Sequence, residues 1–112
     1  MIDYEARARV YDEALKTYGM ENQLIVAVEE LSECQKEICK TLRDQPNAVD
    51  HLAEEVANAI IMLEQVRRIF NIDDDVDWFM DRKVERLRLR ILSQMATLAR
   101  DEKTESGLLE ED

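Results

Sequence analysis

Proline and glycine are scarce in this chain of 112 residues, which contains one Pro and two Gly. A turn-rich sheet needs such residues in number, so their scarcity favours long helices. No stretch alternates apolar and polar residues with the period of two that marks a half-buried strand. The sequence therefore predicts an all-α protein, and its length favours one folded domain.

Histidine and cysteine are also too few for several common kinds of site. His51 is the sole histidine, whereas a helical di-iron centre typically uses two Glu-x-x-His motifs. Cys34 and Cys39 lie five residues apart on one predicted helix, so they face different directions and make a poor disulfide or zinc pair. The absence of a glycine-rich phosphate loop excludes a P-loop NTPase. A hydrolase with a Ser/His/acid triad lacks support, because no nucleophile elbow accompanies the histidine.

Positive charge is in deficit as well. The chain has 15 Lys and Arg against 26 Asp and Glu, giving a formal net charge of −11. This balance argues against a general nucleic-acid-binding protein, because phosphate backbones attract clustered basic residues. No long apolar run and no basic start followed by an apolar segment are present, so we expect a cytoplasmic protein without membrane association.

Turn residues and helical stripes divide the chain into four predicted helices. Gly19 ends the first, and Pro46 lies in the break after the second. The predicted helices cover roughly 3–18, 21–42, 48–70 and 76–99. Residues 1–100 form the predicted domain, and the acidic, aperiodic residues 101–112 a flexible tail. The stripes expected to be buried in the second and third helices are Leu24, Val28, Leu31, Ile38 and Leu42, and Leu52, Val56, Ile60, Leu63, Val66 and Phe70.

Two short acidic signatures on consecutive helices carry the chemistry. They are Glu29-Glu30-Leu31-Ser32-Glu33 and Glu54-Glu55-Val56-Ala57-Asn58. Glu30 with Glu33, and Glu55 with Asn58, are each about one helical turn apart on the same flank of an apolar stripe. Four oxygen side chains on adjacent helices suit a hard divalent ion such as Mg²⁺. Chance is the competing explanation, because Glu is a strong helix former and acidic residues are abundant.

A basic stretch on the fourth helix adds a second group. Lys83, Arg86 and Arg90 recur at spacings of three and four residues, along one side of that helix. Such a side could neutralise polyphosphate oxygens. A solvated face forming ion pairs with Asp81 and Glu85 explains the spacing equally well.

These motifs together resemble a known family. Glu29-Glu30-x-x-Glu33, then Glu55-x-x-Asn58, then Lys83-x-x-Arg86, over about residues 20 to 92, is similar to the MazG-like all-α nucleoside triphosphate pyrophosphohydrolases, especially small bacterial or phage members, and to the related dimeric dUTPases. The resemblance implies a four-helix, bundle-like fold that assembles into a homo-oligomer, either a dimer or a tetramer, through the second and third helices.

The resemblance also implies an enzyme of nucleotide metabolism. It would use Mg²⁺, or Mn²⁺ in its place, to hydrolyse a nucleoside triphosphate between the α and β phosphates, releasing the monophosphate and pyrophosphate. By position, Glu30, Glu33, Glu55 and Asn58 would ligate the metal. Glu29 or Glu54 would assist the attacking water, Lys83 and Arg86 would bind phosphate, and Gln23 would contact the base or sugar.

Asn58 departs from the family pattern, which has Asp at the last ligand position. An amide oxygen coordinates Mg²⁺ but brings no negative charge, so metal affinity and water activation should both weaken. Three interpretations follow: an enzyme working with one charge fewer, an engineered substitution that traps the substrate, or a protein that binds nucleotides without turnover. A different class also competes, namely a non-enzymatic helical interaction protein whose acidic tail contacts a basic partner.

Overall fold

The computed structural model describes the backbone of residues 2–110 and the side chains of residues 2–106. This part of the chain contains the helices α1 (Tyr4–Tyr18), α2 (Met20–Leu42), α3 (Ala48–Ile69) and α4 (Asp73–Glu110), and no strand. The all-α class predicted from the composition is confirmed. None of these described helices combines the length and the apolar character needed to cross a bilayer.

Local sequence explains most helix ends. The Asp3 carboxylate accepts a hydrogen bond from the Ala6 backbone N–H at 2.8 Å, which caps α1. Gly19 ends α1 with φ +87°, a backbone conformation in which a side chain would be strained. Asn47 precedes α3 in the left-handed conformation, and its side chain makes no capping hydrogen bond, although Asn is a common capping residue.

The fourth helix is longer than predicted at both ends. It begins at Asp73 instead of near 76, and it continues through Glu110 into the stretch predicted to be an aperiodic tail. Ala99, Arg100, Glu102 and Lys103 are strong helix formers and no proline intervenes, so nothing stops the helix near residue 100. Whether residues 101–112 behave as a separate tail stays a prediction.

Polar contacts fix α1 against α3. Tyr11 is buried and donates a hydrogen bond to the Glu64 carboxylate, to which the Arg7 guanidinium also donates at 3.2 Å. Further along the same two helices, Arg68 forms an ion pair with Asp12 at 2.8 Å. Burial and the hydrogen bond to Glu64 raise the pKa of Tyr11 to about 12.

This raised pKa predicts a loss of stability in alkali. A tyrosine in the unfolded chain has a pKa of about 10. Because the folded value is higher, the stabilisation is fully present below pH ~10 and is lost as the pH rises towards ~12. In urea titrations at ~pH 9 and ~pH 11.5, we expect the wild type to lose about 2 kcal/mol more than Tyr11→Phe. The exposed Tyr18→Phe serves as control, and equal losses in the wild type and Tyr11→Phe would contradict the assignment.

The helices α2 and α3 pack against each other along their length, but not through the stripes expected to be buried. Apart from Met62, the buried residues of these two helices are small or polar, namely Gln23, Ala27, Glu37, Ala48, Ala59 and Gln65. Val28 is 66% exposed and Leu42 79% exposed, whereas Leu24, Leu52 and Val66 are half-buried. The expectation that these stripes are buried is therefore wrong for their exposed members, such as Val28 and Leu42, within the single chain.

The chain divides between Asp73 and Asp74 into two compact units. The first contains α1, α2 and α3, and the second is the rest of α4. Within the second unit, the Arg82 guanidinium stacks over the Trp78 ring at 4.4 Å, and Glu85 forms an ion pair with Arg88 at 2.5 Å. Its apolar side chains between Trp78 and Leu98 are about half-exposed or more.

Candidate functional site

One buried hydrogen bond sets the register of α2 against α3. The Gln23 side-chain amide donates to the Gln65 Oε1 atom at 2.7 Å. Gln23 lies near the beginning of α2 and Gln65 near the end of α3, so the two helices run antiparallel. Glu30 comes seven residues after Gln23, and Asn58 seven residues before Gln65. Glu33 and Glu55 are likewise each ten residues from that pair, so Glu30 is level with Asn58, and Glu33 with Glu55.

Polar side chains follow this line of contact, and we call them the polar seam. It comprises Gln23, Glu30 and Glu37 from α2 and Glu55, Asn58 and Gln65 from α3. Gln23, Glu37 and Gln65 are each 7% exposed, and the other three are half-buried. Polar groups are seldom buried in helix pairs without partners or ligands, because desolvation is costly.

Gln65 is a seam residue that the sequence analysis missed. Its side-chain N–H lies 3.3 Å from the Met62 sulfur, and its oxygen accepts the bond from Gln23. The available signal was the spacing of seven residues from Asn58, which places Gln65 on the same edge of α3. Gln23 was proposed from the sequence to contact the base or sugar. Its side chain instead donates to Gln65 and is buried between α2 and α3.

This amide pair makes a stability prediction. Gln23→Met or Gln65→Met alone leaves one buried amide without its partner, and we expect each to cost about 1–3 kcal/mol. The double variant replaces both amides with apolar groups of similar shape, so it should cost clearly less than the sum. Urea unfolding of the wild type, the two single variants and the double variant gives the coupling free energy between the two amides. Additive losses would mean that the two amides do not depend on each other.

The four predicted metal ligands face the helix pair to different degrees. Glu30, Glu55 and Asn58 are half-buried, and Glu33 is exposed at the edge. In the described part of the chain, no three His, Cys, Asp or Glu side chains are arranged to hold a metal ion, so Glu30, Glu33 and Glu55 do not form a converged cluster. The Oε2 atom of Glu55 is nevertheless buried and has no hydrogen-bond partner. A carboxylate in this state fits a cation, which would supply the missing partner.

The two carboxylates proposed to assist a water molecule lie elsewhere. Glu29 and Glu54 are both exposed. At 100° per residue, each is rotated away from its seam neighbour, Glu30 or Glu55, and towards the outer side of its helix. Neither helix therefore directs them into the seam.

Lys83 and Arg86, the predicted phosphate-binding residues, belong to the second unit. Both lie on α4 and are exposed, as is Arg90. Lys83, Arg86 and Arg90 follow one another at spacings of three and four residues on a continuous helix. They therefore share one side of it, as the sequence predicted.

No protein-family model, curated protein or solved structure matches this chain.

Proposed function

We propose that this protein is a Mg²⁺-dependent nucleoside triphosphate pyrophosphohydrolase of the MazG-like type. It would cleave between the α and β phosphates and release a nucleoside monophosphate and pyrophosphate. The observation that supports this most is the register of α2 against α3, in which Glu30 is level with Asn58 and Glu33 with Glu55. The two acidic signatures thus lie opposite each other on the helix pair, which supports a shared metal site.

The donor set fits Mg²⁺. Glu30, Glu33 and Glu55 supply carboxylate oxygens and Asn58 an amide oxygen, which are the ligand types that this ion prefers. Mutual repulsion keeps clustered carboxylates apart when no cation is bound. When bound, Mg²⁺ would withdraw charge from the phosphate oxygens and lower the pKa of a water molecule.

The remaining residues act on protons and phosphates. Glu29 or Glu54, which both lie on the outer sides of their helices, would accept the proton of the attacking water. Lys83 and Arg86 would neutralise the phosphate oxygens, with Arg86 offering the planar, bidentate geometry that a phosphate accepts.

We also propose that the active form is a homo-oligomer. The exposed apolar residues of α2 and α3 are offset in the same sense from the polar seam, so in an antiparallel pair they share one face. We call this the apolar face; it comprises Val28, Leu31, Ile38 and Leu42 from α2 and Val56, Ile60 and Leu63 from α3, and all are exposed. Exposed apolar surfaces of this extent mark association sites. A second copy docking on this face would bury it and complete a four-helix bundle beside the seam.

The direct test is pyrophosphate release from a panel of ribo- and deoxyribonucleoside triphosphates with Mg²⁺ or Mn²⁺. We expect release that EDTA abolishes and that Glu33→Ala reduces by at least about a hundredfold, since a ligand carboxylate is lost. Glu13→Ala, which removes an exposed carboxylate from α1, is the matched control and should leave the rate unchanged. Release that is indifferent to EDTA and to Glu33→Ala would reject the proposal.

A further inference from the structure

Glu37 is the most deeply buried carboxylate of the polar seam, and neither the acidic signatures nor the family resemblance includes it. Its side chain is more than nine-tenths buried. One carboxylate oxygen, Oε1, pairs with the Lys40 ammonium at 3.0 Å. The other, Oε2, is enclosed by protein and has no hydrogen-bond partner. A buried charge with half of its hydrogen-bonding capacity unused is costly, so it requires an explanation.

A second carboxylate in the seam shares this property, because Glu55 Oε2 is also buried without a partner. In the register set by Gln23 and Gln65, Glu37 is level with His51, and Glu55 with Glu33. The two glutamates are thus offset by four residues, or about 6 Å along the helix axes.

Helix geometry directs these two side chains towards each other. A side chain on an α-helix leans towards the amino terminus of its own helix. Because α2 and α3 are antiparallel, Glu37 leans towards the level of Glu55, and Glu55 towards the level of Glu37. Two anionic oxygens that approach each other without donors between them repel, unless a cation lies between them.

We infer that Glu37 and Glu55 bind one divalent cation of the Mg²⁺ class between their partnerless Oε2 atoms. Mg²⁺ commonly takes one or two carboxylates and fills its remaining positions with water or phosphate oxygens, so two glutamates suffice. The inference rests on the proposed function for the choice of cation, and it extends the ligand set one helical turn beyond Glu33. Lys40 then neutralises the Oε1 atom of Glu37, and the cation neutralises the Oε2 atom.

Glu37→Gln tests this inference, because it keeps the shape and removes the charge. Mn²⁺ is the probe, and free Mn²⁺ is counted by its electron paramagnetic resonance signal in the full-length protein. We expect Mn²⁺ to bind Glu37→Gln about tenfold more weakly than the wild type. Glu21→Gln, an exposed glutamate on the same helix, should bind Mn²⁺ as the wild type does.

Thermal unfolding distinguishes a cation ligand from a residue that serves only the structure, because the two roles predict opposite changes in the melting temperature of Glu37→Gln. In EDTA, Glu37→Gln should melt higher than the wild type, because the repulsion between the partnerless oxygens of Glu37 and Glu55 is gone. The increase in melting temperature on adding Mn²⁺ should be smaller in the variant. If Glu37 served only as the partner of Lys40, the variant would melt lower and keep the full Mn²⁺ increment, which would overturn the inference.

Pyrophosphate release measured on the same samples separates the two proposals. Equal Mn²⁺ affinities in the wild type and Glu37→Gln, with release intact, overturn the Glu37 assignment and leave the hydrolase standing. Weakened Mn²⁺ binding in Glu37→Gln, with no release from any triphosphate by the wild type, supports the cation site and rejects the hydrolase. Absence of Mn²⁺ uptake by the wild type overturns the inference outright.

Discussion

Replacing Asn58 with Asp is expected to raise the rate of pyrophosphate release by at least about tenfold, since a ligand carboxylate increases metal affinity and polarises bound water more strongly than an amide does. Asn58 is half-buried and level with Glu30 in the helix pair. The substitution changes one atom of the side chain, so its shape is retained. The rate should be measured over a range of Mg²⁺ concentrations, and half-saturation should move to a lower concentration in Asn58→Asp.

A charge-matched control is needed because the new carboxylate also makes the protein more acidic. Asn47→Asp adds the same charge at an exposed position before α3, away from the seam. It should leave both the rate and the Mg²⁺ dependence unchanged. A lower rate in Asn58→Asp, or an equal change in both variants, would show that residue 58 does not contact the metal.

The outcome also decides among the interpretations of Asn58. Release by the wild type that rises in Asn58→Asp indicates an enzyme working with one charge fewer. Silence in the wild type with activity in Asn58→Asp indicates a site that binds nucleotide but has lost turnover. Silence in the wild type, Asn58→Asp and Glu33→Ala alike would favour a helical interaction protein.

Helix content was predictable because it depends on local properties. The scarcity of Gly and Pro is visible in the sequence and favours helices. Gly19 and Pro46 each mark a helix end within a few residues. The end of α4 was not predictable in the same way. The sequence loses its apolar period after residue 100, but helix propensity persists there, and propensity determined the outcome.

The position of the core was less predictable, because periodicity identifies a stripe but not what covers it. The stripe containing Val28 and Leu42 is regular, yet these residues are exposed in the single chain, and α2 contacts α3 through the neighbouring stripe. That neighbouring stripe contains Ala27 and Ala59, which permit close approach of the helices, and Gln23 and Gln65, whose amides satisfy each other.

The candidate site was predictable only in part, because a local pattern fixes positions along one helix but not between two helices. The offsets between Glu30 and Glu33 and between Glu55 and Asn58 fix which residues share an edge of one helix. The level of one helix against the other depends on a long-range contact, here Gln23 with Gln65, which no local pattern encodes. Glu37 comes seven residues after Glu30 and so shares its edge of α2, but its burial depends on how closely α3 packs against it.

A charged residue on the apolar face should dissociate the protein. The chain has a mass of 13.1 kDa, and we expect light scattering to give two or four times that value. Val28→Glu places a carboxylate on the apolar face, where docking of a second copy would bury it without a partner. Such burial costs several kcal/mol, so the mass should fall towards that of one chain and the melting temperature should fall with it.

The comparison with an exposed valine elsewhere makes this result specific to the apolar face. Val10 on α1 is 56% exposed, similar to the 66% of Val28, and lies outside α2 and α3. On an isolated chain, both substitutions would be surface changes worth about 0.5 kcal/mol or less. If a second copy covers the apolar face, Val28→Glu dissociates the protein and Val10→Glu does not. Equal and small effects of both, with a wild-type mass near 13.1 kDa, would mean that the protein works as a single chain with its apolar face open to solvent.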